Sequence, residues 1–162
     1  MRRALASLTA LALLPATAAV APASTSHEGW PKIDGELKMH KQDESGTLEG
    51  TDKSDELLGG HGDDVLVGGE AADVLWGDYK PSGQPTSQSD RLDGGPGDDF
   101  IYASHGANAI DAGPGKDYVK AHYGRGSIDC GAGKDQLYIS HRARKGYKIK
   151  RCEKISYKSL GY

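Results

Sequence analysis

Gly59-Gly60-His61-Gly62-Asp63-Asp64-Val65-Leu66-Val67 is the stretch that decides the fold. It reads G-G-x-G-x-D-x-U-x, with U apolar, and the same frame recurs in steps of nine on both sides. Downstream come Gly68–Trp76, a copy over Gly77–Asp93 split by about eight extra residues, then Gly94–Tyr102, Ala103–Asp111, Ala112–Lys120, Ala121–Asp129 and Cys130–Tyr138. Upstream, Gly50–Leu58 fits more loosely. A short unit of fixed period cannot bury an apolar face alone, so each copy is stable only when stacked on the next.

Position eight of the frame is apolar in every copy: Leu57, Leu66, Leu75, Leu92, Ile101, Ile110, Val119, Ile128 and Leu137. One inward side chain per nine residues suits a three-residue strand, followed by a turn whose glycines reach backbone angles closed to other residues. No helical period is present. The expected fold is all-β, a parallel β-roll (a right-handed β-solenoid) of about nine nonapeptide repeats. The interruption at 79–89, rich in Pro, Ser, Gly and Gln, reads as a surface loop.

Position six carries the chemistry. It reads Asp55, Asp64, Asp73, Asp90, Asp99, Asn108, Asp117, Gly126, Asp135. If two copies make one turn of the coil, alternate copies share an edge. One edge then holds Asp55, Asp73, Asp99, Asp117 and Asp135 without a gap; the other holds Asp64, Asp90, Asn108 and Gly126 and decays toward the C-terminus. Coils stack about 4.8 Å apart, and carboxylates at that spacing repel by roughly 1 kcal/mol per pair in water and several-fold more at low dielectric. A cation between them removes the penalty, and carboxylate plus turn-carbonyl oxygens select calcium over zinc or copper. Four gaps on the complete edge, with one more between Asp64 and Asp90, give about four to five ions. Asp93, Asp111 and Asp129, at position nine of alternate copies, form a second column that either reinforces the intact edge or faces water. Asp63 and Asp98 precede the column at position five, but Lys116, Arg125 and Lys134 occupy that position elsewhere.

The repeats resemble the RTX, or hemolysin-type, calcium-binding nonapeptide repeat. The resemblance covers residues 50–138: Gly59–Val67 is a complete match, and Gly94–Asp99 and Cys130–Asp135 are close ones. It implies that Asp55, Asp64, Asp73, Asp90, Asp99, Asp117 and Asp135, together with turn carbonyls, hold calcium between neighbouring coils. The chain departs from the pattern at Lys53 and Ala71, which replace the fourth glycine.

The flanks differ in character. Arg2 and Arg3 precede an apolar run from Ala4 to Val20 and then small residues, so residues 1–23 read as a secretory signal peptide and the mature protein as secreted, with no membrane span after cleavage. Residues 24–49 form an N-terminal lead-in with weak alternation around Ile33–Met39, either a short covering strand or a linker. Residues 139–162 form a basic C-terminal cap whose stretch Tyr147–Ile155 alternates like a strand. In an exported protein the lone pair Cys130 and Cys152 reads as a disulfide tying that cap to the last repeat. Charge is strongly segregated: residues 24–138 carry 22 acidic and 10 basic side chains, residues 139–162 eight basic ones against Glu153. The acidic body suits a cation, and the basic end suits either an anionic partner or folding back on the acidic repeats.

Little chain remains for catalysis. His27, His40, His61, His105, His122 and His141 are scattered, and neither G-x-S-x-G nor H-E-x-x-H occurs. The sequence therefore reads as a calcium-binding module of the extracellular space, not an enzyme, whose repeat region orders only with calcium. A calcium-dependent adhesin or glycan-binding surface, using Trp76, Tyr79, Tyr102, Tyr118, Tyr123 and Tyr138, is the alternative, and a secreted hydrolase a remote one. A nucleic-acid partner does not suit the acidic body.

Overall fold

The computed structural model describes residues 29–158 apart from 42, 79–82, 84 and 104. The signal-peptide segment 1–23, His27 and Tyr79 lie outside the described residues. Two large parallel sheets face each other, and a short third one pairs Pro114–Gly115 with Ala132–Gly133 between turns of adjacent coils. One has seven strands, in the order Leu37–Met39, Glu56–Leu58, Val74–Trp76, Phe100–Tyr102, Tyr118–Ala121, Gln136–Ile139 and Lys154–Ser156. The other has six: Gly46–Glu49, Asp64–Val67, Ser89–Asp93, Ala107–Asp111, Arg125–Asp129 and Tyr147–Lys150. The chain alternates between sheets at every turn, so two strands complete one coil and sequence neighbours never pair.

The nine repeats account for nine of these strands. The other four come from the flanks, which build a first coil (Leu37–Met39 and Gly46–Glu49) and a last one (Tyr147–Lys150 and Lys154–Ser156). Register follows the nonapeptide frame. Leu57 pairs with Leu75, Leu75 with Ile101, Ile101 with Val119 and Val119 with Leu137 on one sheet; Leu66, Leu92, Ile110 and Ile128 do so on the other. All nine position-eight side chains are at most 3% exposed and form one continuous apolar column. The interruption leaves this column intact, because Leu92 keeps its pairing with Leu66 across the extra residues.

At the ends the column changes chemistry. Lys38 takes the inward place beside Leu57, and its ammonium crosses the open end of the roll to the Glu49 carbonyl, 2.6 Å away on the opposite sheet. At the other end Ile149 extends the column, Ile155 stands in register with Leu137 but is exposed, and Cys130 and Cys152 are joined in a disulfide. Apart from the single 3-10 turn Ala143–Lys145, no helix occurs among the described residues, and none is long and apolar enough to cross a membrane.

Candidate metal centre

Each position-six residue sits where a glycine-rich turn enters a strand, and the turn folds its side chain inward. Asp55, Asp64, Asp73, Asp90, Asp99, Asp117 and Asp135 are all buried, at 2% exposure or less. The structure gathers them into the two edge rows expected from the spacing. On the complete edge the Asp residues are linked by one repeated hydrogen bond. The backbone N–H of Asp55 donates to Asp73 Oδ1 (2.7 Å), Asp73 to Asp99 (2.8 Å), Asp99 to Asp117 (2.9 Å) and Asp117 to Asp135 (2.9 Å). One carboxylate oxygen of each rung is thereby consumed by the neighbouring coil.

The other oxygen is the informative one. Oδ2 of Asp73, Asp99, Asp117 and Asp135 is buried with no hydrogen-bond partner among the described residues. An unmet buried carboxylate oxygen is costly, and four in a row are not an accident of turn chemistry. Burial raises Asp73 to about 7, Asp99 to about 8 and Asp117 to about 7, and the neighbouring acids push in the same direction. Asp135 is raised by burial and by Glu153 beside it. Asp55 differs: its Oδ2 accepts from the Thr51 backbone N–H (2.6 Å) and hydroxyl (2.9 Å).

Main-chain oxygens line the same space. A Cβ at Gly68 would stand 2.5 Å from Asp73 Oδ2 and press on the Gly94 carbonyl; one at Gly94 would stand 2.5 Å from Asp99 Oδ2 and press on the carbonyl of Ala112. At Gly68 and Gly94 carboxylate and carbonyl leave no room for a Cβ, whereas the next two coils carry Ala112 and Cys130 at the same position. No three His, Cys, Asp or Glu side chains among the described residues group as a metal-holding set, so a cation would be held by carboxylate oxygens supplemented by turn carbonyls. That all-oxygen set of hard donors fits calcium. Asp73, Asp99, Asp117 and Asp135 would hold it, and its charge would offset the four buried acids.

The second edge is shorter. Asp64 N–H donates to Asp90 Oδ1 at 3.1 Å, and Gly60 N–H satisfies Asp64 Oδ2 at 2.9 Å. His40 closes the row below, with Nδ1 2.8 Å from Asp64 Oδ1. Above, Asn108 donates to the Tyr147 hydroxyl (2.9 Å), which donates to the Tyr123 carbonyl (3.1 Å). Tyr147 pairs with Gly126, and its ring takes the room that the missing side chain leaves. His40, Tyr147 and, on the first edge, Glu153 escaped sequence reasoning because they belong to coils without the motif.

The other acidic residues that the repeat frame singles out point elsewhere. Asp93, Asp111 and Asp129 stack in register on the outer face of the six-stranded sheet, where Arg91 pairs with Asp93 (3.0 Å) and Arg151 with Asp129 (2.6 Å). Asp63 and Asp98 accept backbone N–H groups of Ser89 and Lys116 in the next coil. His61 lies 3.4 Å from Asp43, His105 stacks on Tyr123 and His141 on Tyr157.

The family model of the RTX calcium-binding nonapeptide repeat, in four copies, matches residues 43–78 and 86–119. The break between the two segments falls on the interrupted copy, and the match stops where Ala121, Gly126 and Cys130 replace motif residues. No curated protein and no solved structure matches the chain. Repeat frame, two-sheet coil and rows of buried carboxylates agree with that match: the chain folds as a parallel β-roll whose repeats, over residues 43–78 and 86–119, are of the RTX calcium-binding type.

Proposed function

We propose that this protein is a secreted module whose repeat region is ordered by calcium and whose role is binding or architecture in the extracellular space. The observation that carries this is the run of four buried, unpartnered carboxylate oxygens along one edge. Ions that bind only the coiled state shift folding toward it by mass action. Asp55, Asp64, Asp73, Asp90, Asp99, Asp117 and Asp135 form the proposed ligand rows, with about four ions on the complete edge and one between Asp64 and Asp90. Far-ultraviolet circular dichroism of the mature chain, with calcium and with chelator, tests it. Strand signal should appear with calcium and fall away without it; equal, strand-rich spectra in both would sink the idea.

A glycan-binding surface is the second reading, favoured by an open groove of about 620 Å³ along the seven-stranded sheet. Trp76 and Tyr102 do not contribute to it as free platforms, because Trp30 packs on both and donates to the Tyr102 hydroxyl at 2.7 Å. Phe100 and Tyr118, stacked at 5.2 Å, line the groove beside Lys116 and Lys134. Calcium-dependent retention on a glycan array supports this reading, and no retention removes it.

A further inference from the structure

The row of rungs on the complete edge does not stop at the last repeat. Asp135 N–H donates to Glu153 Oε2 at 2.9 Å, the bond that each earlier Asp makes to the Asp above it. Register confirms the equivalence: Gln136 pairs with Lys154, so Glu153 stands over Asp135 as Asp135 stands over Asp117. Asp135 Oδ2, on a side chain 1% exposed, is the last of the four unpartnered oxygens. In the lower coils the corresponding oxygen lies beside a carbonyl of the next coil, as Asp73 Oδ2 does with Gly94. For Asp135 the next coil is Arg151-Cys152-Glu153.

We propose that Glu153 completes a calcium site in the gap between Asp135 and the last coil, a site supplied by the cap and not by a repeat. This rests on the calcium reading of the edge. The first gap is the weakest claimant for an ion, because Thr51 already satisfies Asp55 Oδ2. The row of sites is therefore displaced one coil toward the C-terminus relative to the repeats themselves.

The disulfide explains how a non-repeat residue reaches the row. A repeat uses six residues, 130–135, to pass from Asp129 to Gln136; the last coil uses only Arg151, Cys152 and Glu153 to pass from Lys150 to Lys154. So short a turn has no glycines to shape it, and Arg151 reverses the chain at a φ of +50°. The bond from Cys152 to Cys130 ties the residue before Glu153 to the first residue of the Asp135 turn. With three residues in its roof, this gap offers fewer carbonyls than the gaps below, so its ion is the most weakly held of the four. The other edge lacks such a site: there the same last coil delivers the Tyr147 hydroxyl, a neutral group.

Calcium stoichiometry of the full-length mature chain, measured by equilibrium dialysis and by titration calorimetry, tests the proposal in wild type, Glu153→Gln, Glu36→Gln and a Cys130→Ser/Cys152→Ser double variant. Glu36 is the matched control at the opposite end, where its carboxylate pairs with Lys38 at 2.8 Å. Expected is the loss of the weakest ion, or at least a tenfold weakening of it, in Glu153→Gln and in the cysteine variant, with Glu36→Gln unchanged. Glu153→Gln is nearly isosteric, so it decides the matter even if the cysteine variant does not fold. Wild-type count and affinities in Glu153→Gln overturn the site, as does an equal loss in Glu36→Gln. A wild type that binds no calcium overturns the reading of the whole edge.

Discussion

At the scale of the residue, the decisive property is the division of labour between the two oxygens of one carboxylate. Oδ1 is spent on the coil below, and Oδ2 is left buried toward the space proposed for the metal. Burial consequently raises Asp73, Asp99 and Asp117 from the usual carboxylate range to about 7, 8 and 7. In the unfolded chain they titrate near 4, about the ordinary Asp value. A raised folded-state value means that the metal-free roll binds more protons than the unfolded chain between those limits. Its stability is therefore fully present below pH ~4 and lost as pH rises through 7 to 8. The metal-free protein should hold more strand structure at pH 5 than at pH 8.5, and the calcium needed for folding should rise in importance across the same interval. Circular dichroism in chelator at the two pH values checks it; a metal-free chain more ordered at pH 8.5 would show that these acids are not desolvated.

At the scale of the element, what sequence could reveal depended on whether a strand carried the motif. Leu57, Leu66 and Leu75 announce their strands, because each repeats a fixed spacing from a glycine turn. The first and last coils show only alternation, and Tyr147–Ile155, which reads as one strand, is broken at Arg151–Glu153 into two strands on opposite sheets: Lys38 stands where an aliphatic belongs, and a three-residue turn precedes Lys154, so no nine-residue frame registers them. Tyr147 is the clearest case. It lies 21 residues beyond Gly126, not the 18 of an uninterrupted coil, yet strand pairing places it opposite that glycine. The Asp rows were legible for the same reason as the core, whereas the cap residues that close them were not. Tyr147→Phe should therefore destabilise more than a surface change. It removes the buried bond from Asn108 and the partly buried one to the Tyr123 carbonyl, at about 1 kcal/mol or somewhat more. Thermal unfolding in saturating calcium measures this, and an unchanged midpoint would mean that the phenol only fills space.

At the scale of the whole molecule, the roll is a one-dimensional stack in which every inner rung serves two gaps. Asp99 accepts from Asp73 and donates to Asp117, so ordering one gap fixes one wall of the next. In a linear array, stability is a sum of unit terms and nearest-neighbour terms, and a ligand that fixes one unit lowers the ordering cost of its neighbour. Calcium should therefore fold the chain over a narrow concentration range, with a sigmoidal titration. Asp99→Asn separates two mechanisms that wild type cannot. Its amide oxygen can still accept the Asp73 N–H, which preserves the backbone link, but the charge shared by two gaps is gone. The variant should be no less ordered than wild type without metal at neutral pH, since an amide is buried without the cost of holding a raised acid protonated. It should bind fewer ions, fold at a calcium concentration raised by a factor of ten or more (about 1.4 kcal/mol) and titrate less steeply. A hyperbolic titration in wild type, or an Asp99→Asn curve of equal steepness, would show that the gaps fill independently and that the rungs transmit no order along the stack.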